Sequence, residues 1–129
     1  MRMDEMIRSF PNQINDQYKA LKSLKFDLDR FSGIKNIVIA GMGGSAISGD
    51  IAKMIAKNEL SIPITVVRDY SIPRWTDERT LFILSSYSGN TEETISCFKT
   101  AILKSKKIIS ISTGGELESL SHENDVQIV

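Results

Sequence analysis

Apolar residues recur along this chain at two different spacings, and the change from one to the other near residue 36 divides it. In the first thirty residues Met6, Phe10, Ile14, Tyr18, Leu21, Phe26 and Leu28 return at roughly helical intervals, with charged residues between them. Pro11 cannot continue a preceding helix, so this stretch reads as a short helix followed by a longer one. Asn36–Ala40 is then a continuous β-branched run, the pattern of a strand buried on both faces. Helical periodicity returns over Ala46–Asn58 through Ile47, Ile51, Met54 and Ile55. Ile64–Val67 after Pro63 reads as a second strand and Leu81–Leu84 as a third. Thr91–Ser105 is the next helix, with Ile95, Phe98 and Ile102 on one face. Lys107–Ile111 reads as a fourth strand, Glu116–His122 as a short helix and Val126–Val129 as a fifth strand.

Strands that alternate with helices pair in parallel through right-handed crossovers. The expected architecture is therefore an α/β three-layer sandwich, with helices on both faces of a five-stranded parallel sheet. Residues 1–34 form a helical segment expected to pack on the domain made by residues 35–129. The last residues, Gln127-Ile128-Val129, are an apolar run where a domain usually ends in polar, frayed residues, so the sequence reads as truncated there.

Two strand-to-helix loops have unusual composition. One is Gly41-Met42-Gly43-Gly44-Ser45-Ala46-Ile47-Ser48, after the first strand. The other is Ser85-Ser86-Tyr87-Ser88-Gly89-Asn90-Thr91-Glu92-Glu93-Thr94, after the third. In an open parallel sheet, ligands bind beyond the carboxyl ends of the strands, where the winding reverses. If the first strand is central, these loops face each other across that point. Glycines let backbone N–H groups approach a ligand, and each loop leads into a helix whose free N–H groups favour an anion. Ser45, Ser86, Ser88 and Thr91 add hydroxyl donors. The chemistry suits a phosphate monoester, with about −1.5 to −2 charges and three acceptor oxygens. Neither loop contains lysine or arginine, so the anion would be held by oriented dipoles rather than ion pairs. Taken alone, each loop could be a plain turn, and Asn90 with Glu93 could be a helix cap and its reciprocal partner.

Composition narrows the setting. Acidic and basic residues number 16 each, so no net field draws the chain toward nucleic acid or an anionic membrane. The single cysteine, Cys97, excludes an internal disulfide and a cysteine-rich zinc cluster, and fits a reducing cytoplasm. With one histidine and one cysteine no metal site is expected, nor is any cofactor. Nothing in the sequence resembles a secretory signal or a membrane span. Gly41-x-Gly43-x-x-Ala46 does satisfy the dinucleotide fingerprint. The acid that the fingerprint expects could be Asp69, but it lies well beyond the usual spacing, follows Arg68, and leaves the serine-rich loop without a role.

Glycine-rich GMGGSAISGD followed by LSSYSGNTEET resembles the sugar isomerase (SIS) domain, and within it the N-terminal half of the bifunctional phosphoglucose/phosphomannose isomerases. VVRDYSIPRW between the loops and STGGELESL after the fourth strand extend the likeness. The resemblance implies a flavodoxin-like strand order, 2-1-3-4-5, and a sugar phosphate ligand such as fructose 6-phosphate or glucose 6-phosphate. It implies phosphate contacts from Gly44, Ser45, Ser86, Ser88 and Thr91, with Gly43, Tyr87 and Glu93 lining the site. The Arg68-Asp69-Tyr70 segment matches one that leads to the rim of the site. It also implies a glucose-6-phosphate/mannose-6-phosphate isomerase of carbohydrate metabolism, with a second SIS domain in tandem or a homo-oligomer. The family's general base, its ring-opening histidine and a Pro-Arg pair would all lie beyond Val129.

Aldose–ketose isomerisation needs a base to move a proton between C1 and C2 and an acid to open the ring. The acids near the loops are Asp50, Glu92, Glu93 and Glu116. Helix starts commonly carry such residues for dipole stabilisation alone, so no catalytic residue is assigned. His122 reads as a solvated surface residue, Cys97 as a packing residue, and Trp75 as an anchor beneath a loop. Three functions stay open: the N-terminal domain of a sugar-phosphate isomerase, a stand-alone sugar-phosphate-binding regulatory module, and a dinucleotide-binding oxidoreductase fragment.

Overall fold

The computed structural model describes residues 2–129. Its elements are α1 (Met3–Lys22), β1 (Asn36–Ala40), α2 (Gly43–Ala56), β2 (Ile64–Val67), β3 (Thr80–Ser85), α3 (Glu92–Lys104), β4 (Ile108–Ile111), α4 (Gly115–Glu123) and β5 (Gln127–Ile128). The five strands form one parallel sheet in the order β2-β1-β3-β4-β5. The chain winds outward from β1 in both directions, and the reversal lies between β1 and β3.

The two-residue period of a strand sends the β-branched run of β1 to both faces. Val38 and Ala40 join Phe82 and Leu84 of β3, where Cys97, Phe98 and Ala101 of α3 and Leu117 of α4 complete the larger core. Ile37 and Ile39 join Leu81 on the other face. There α2 packs against β2 and β1. Gly49 lets it approach closely, since a Cβ at that position would meet Ile39 at 3.0 Å and Val66 at 3.4 Å.

Three expectations from the sequence change. Pro11 lies inside α1 rather than between two helices. The ring removes one N–H and crowds the carbonyl of Ile7, but Ile7 is exposed, so water can satisfy that carbonyl. Trp75 is 53% exposed, whereas Ile72 and Thr76 of the same loop are buried and hold the loop to the domain. The α2 helix begins at Gly43, three residues before the apolar periodicity does, because the glycines themselves form its first turn. No residue of α1 is buried, and Met6, Phe10, Ile14, Tyr18 and Leu21 lie exposed along it.

Candidate functional site

Ala40 and Leu84 are paired in register, so the loops that follow β1 and β3 start side by side. They start almost in contact. A Cβ on Gly41 would lie 3.0 Å from Ser45 Cβ and 3.1 Å from the Ser85 carbonyl oxygen, so only glycine fits without a shift. Between the loops opens a cavity of about 960 Å3. Gly44, Ser45, Tyr87, Ser88 and Thr91 line it, together with Thr113 beyond β4 and Gln17 of α1. No charged side chain lines it. A second cleft, of about 560 Å3, lies beside the C-terminal half of α2, where Lys53 and Lys57 border apolar Met54 and Ile62. No helix N-terminus opens into that cleft.

Two helices begin at the larger cavity, and neither is capped by a side chain. The α2 helix has Met42 as its N-cap residue and carries no acid in its first turn. The Ser45 N–H of this turn donates to the Met42 carbonyl oxygen at 3.1 Å, no side chain caps the turn, and no local negative charge offsets the helix dipole. Gly44 lies in this turn, and nothing stands within 4 Å of where its Cβ would be. The α3 helix has Thr91 at its N-cap position, also without a side-chain cap bond.

The hydroxyls of the second loop are ordered by one another. Ser88 Oγ accepts the Asn90 N–H at 3.1 Å, which leaves its own proton to donate outward. Thr91 Oγ1 lies 2.8 Å from Ser86 Oγ, and Ser86 Oγ accepts the Gly89 N–H at 3.1 Å.

Of the phosphate contacts expected from the sequence, Gly44, Ser45, Ser88 and Thr91 line the cavity, as does Tyr87. Ser86 does not; it is buried beneath the loop, behind Thr91. Gly43 and Glu93 are not among the lining residues either. Asn90 is not the cap of α3. Its Oδ1 instead accepts the Glu116 N–H of α4 at 3.0 Å, a partner twenty-six positions away that local spacing could not reveal.

The acids near the loops are engaged elsewhere. Asp50 pairs with Arg68. Glu92 accepts the Tyr70 hydroxyl at 3.2 Å, and this bond, reinforced by the charge of Glu93, raises the Tyr70 pKa above its ordinary value. Glu116 faces Lys99 at 3.9 Å. Asp69 Oδ1 accepts the N–H of Tyr70 at 2.6 Å, and Asp69 does not line the cavity. His122 is exposed, 3.6 Å from Glu118. Among the described residues no three histidine, cysteine or acidic side chains are grouped to hold a metal, and no helix is long and apolar enough to cross a membrane.

Gln17, Ser48 and Thr113 also line the cavity. Of these, only Ser48 lies in a loop that composition marks. Thr113 lies in the STGGELESL segment after β4, whereas Gln17 reaches the cavity through tertiary placement that no local pattern identifies.

No family model matches the chain. It is 39% identical, over 98% of its length, to the bifunctional phosphoglucose/phosphomannose isomerase of Caldicellulosiruptor bescii. It is 42% identical, over 89% of its length, to the enzyme of the same name from Thermoplasma acidophilum. The chain spans 37% of the length of each of these relatives. Among solved structures, a putative phosphosugar isomerase from Clostridium difficile superposes with a TM-score of 0.76 at 22% identity, over 93% of this chain and 36% of that one. A Methanococcus jannaschii protein, whose structure was taken to infer a 3-hexulose-6-phosphate isomerase function, superposes with a TM-score of 0.62 at 28% identity. That match covers 88% of this chain and 60% of the other. By fold and by sequence the chain is similar to the sugar isomerase (SIS) proteins, and to the N-terminal part of the bifunctional phosphoglucose/phosphomannose isomerases.

Proposed function

We propose that the cavity between the two loops binds the phosphate of a sugar phosphate, and that the whole protein interconverts aldose and ketose phosphates of the glucose 6-phosphate, mannose 6-phosphate and fructose 6-phosphate type. The observation that carries this reading is a cavity bordered by two uncapped helix N-termini and several hydroxyls, with no charged side chain in its lining. Such a lining offers N–H and O–H donors and no carboxylate side chain, which suits a group made of acceptors. Gly44, Ser45, Ser88 and Thr91 supply the direct contacts, and Ser86 acts through Thr91. The names of the relatives supply the sugar and the reaction class.

The same lining carries no general base. Asp50, Glu92, Glu93 and Glu116 are absent from it, so the proton transfer between C1 and C2 falls to a residue outside these 129. Residues 35–129 are then the half of the site that holds the phosphate. The working assembly is a cytoplasmic protein in which another SIS domain, from a second copy or from the same polypeptide, completes the site.

Calorimetric titration with fructose 6-phosphate, glucose 6-phosphate and NAD tests the binding claim. Saturable binding of the sugar phosphates, competed by inorganic phosphate, is the expected result. Binding of NAD alone would overturn it. Isomerase turnover by the isolated chain would overturn the claim that the base lies elsewhere.

A further inference from the structure

The phosphate loop is stitched to the segment that begins α4. Thr113 donates twice to the Tyr87 carbonyl oxygen, from its N–H at 3.1 Å and its Oγ1 at 2.7 Å. The Leu117 N–H donates to the Gly89 carbonyl oxygen at 2.8 Å, and the Glu116 N–H to Asn90 Oδ1 at 3.0 Å. Glu116 and Leu117 are the second and third residues of α4, whose amides a side chain at the N-cap usually satisfies. The N-cap residue here is Gly114, which has no side chain, so the neighbouring loop provides both acceptors.

The exchange has a consequence for α3. Asn90 directly precedes its N-cap residue, and its only side-chain oxygen is turned to α4. The first N–H groups of α3 are left without a side-chain cap, beside Thr91, which lines the cavity. The Asn90 backbone N–H meanwhile donates to Ser88 Oγ at 3.1 Å. One residue therefore holds the α4 start with its carboxamide and the Ser88 hydroxyl with its amide.

We propose that Asn90 is a positioning residue for the phosphate site: by binding the Glu116 N–H it fixes the turn that aims the Ser88 proton into the cavity. The inference rests on the reading of the cavity as a sugar-phosphate site. It makes Ser88 a donor to the ligand, since its acceptor capacity toward the loop is already used. It also removes α4 as an anion site, because its leading amides are occupied by the loop.

The test is a double-mutant cycle, read by calorimetry with fructose 6-phosphate on the unaltered chain, Ser88→Ala, Asn90→Ala and the pair. Amide deuterium exchange at Glu116 is followed in parallel. Asn90 is exposed and its backbone has no positive φ, so alanine is compatible with the fold; Asn90→Ser, too short to reach Glu116, replaces it if the alanine variant does not fold. Each single variant is expected to weaken binding about tenfold, and the pair by little more than either alone, because both remove the same aimed hydroxyl. Asn90→Ala should also speed exchange at Glu116, while Ser88→Ala should not. Faster exchange with affinity within about twofold of the unaltered chain would overturn the proposal. So would losses that multiply to about a hundredfold in the pair, the mark of independent roles. No binding by the unaltered chain would instead sink the sugar-phosphate reading, and this proposal with it.

Discussion

The hydroxyls of Ser86 and Thr91 lie 2.8 Å apart, with Ser86 buried behind the loop and Thr91 lining the cavity. If the cavity holds a phosphate as proposed, Ser86 acts on it through Thr91, and the two hydroxyls form one hydrogen-bonded unit. Thr91→Ala is expected to weaken fructose 6-phosphate binding by about 1.5–3 kcal/mol, the usual worth of one hydrogen bond to a charged group. Ser86→Ala should cost less in affinity. It should lower stability by about 0.5–1 kcal/mol, since the Gly89 N–H loses one of its two acceptors and keeps the Ser86 carbonyl oxygen at 3.2 Å. The double variant should lose less than the sum of the two in calorimetry; strict additivity would mean the hydroxyls work separately.

Gly44 offers a test in which stability and affinity move apart. Nothing lies within 4 Å of its missing Cβ, and its φ is not positive, so Gly44→Ala meets no obstacle in the unliganded chain. Alanine in a helix in place of glycine gains about 0.5–1 kcal/mol. The melting temperature should rise, while affinity for fructose 6-phosphate falls because the methyl group enters the space of the phosphate. A variant that binds as tightly as the unaltered chain would remove Gly44 from the site.

Much of this was legible in advance because strands and glycine turns act locally. The β-branched run of β1 and the Gly–Ser loops declare themselves without any knowledge of their neighbours. The surroundings of Ser86 and Asn90 escape a local reading for one physical reason. Composition shows that a hydroxyl or carboxamide is present, but its partner is decided by packing. Ser86 turns inward to meet Gly89 and Thr91, and Asn90 turns sideways to meet Glu116. Pro11 is the reverse case. A local rule against proline in a helix gives way on an exposed helix, where water can satisfy the freed carbonyl. The placement of Gln17 at the cavity depends on where α1 lies, which periodicity along α1 does not encode.

Gly89 is where the loop after β3 crosses the loop before α4. Its φ is +75°, and a Cβ there would lie 1.8 Å from the Gly114 carbonyl oxygen. Both the backbone conformation and the contact exclude a side chain, and the obstacle is backbone that cannot rotate away. Gly89→Ala should destabilise the domain by about 3 kcal/mol or more, from strain together with overpacking. Urea denaturation checks this, with the midpoint moving and the slope staying constant. Gly33→Ala is the matched control. Its φ is +71° but nothing lies within 4 Å of its Cβ, so it should cost only the conformational part, about 1 kcal/mol.

Cys97 provides a pH signature. Its thiol is buried in the core, with Sγ donating to the Asp69 carbonyl oxygen at 3.1 Å. Burial first, and then the charges of Asp69 and Glu93, push its pKa up to about 11 from an ordinary 9.0. The folded chain thus holds this proton to higher pH than the unfolded chain does. The thiol's contribution to stability is complete below about pH 9 and is lost as the pH rises toward about 11. Cys97→Ala removes that dependence, along with some packing. The stability gap between the unaltered chain and Cys97→Ala, from urea midpoints, should therefore be constant between pH 6 and pH 8 and shrink from about pH 9 upward. At pH 8 the native thiol should resist alkylation by iodoacetamide, because little of it is thiolate and none of it is exposed, and it should react once urea unfolds the chain. Rapid alkylation of the folded chain at that pH would contradict the buried, protonated state.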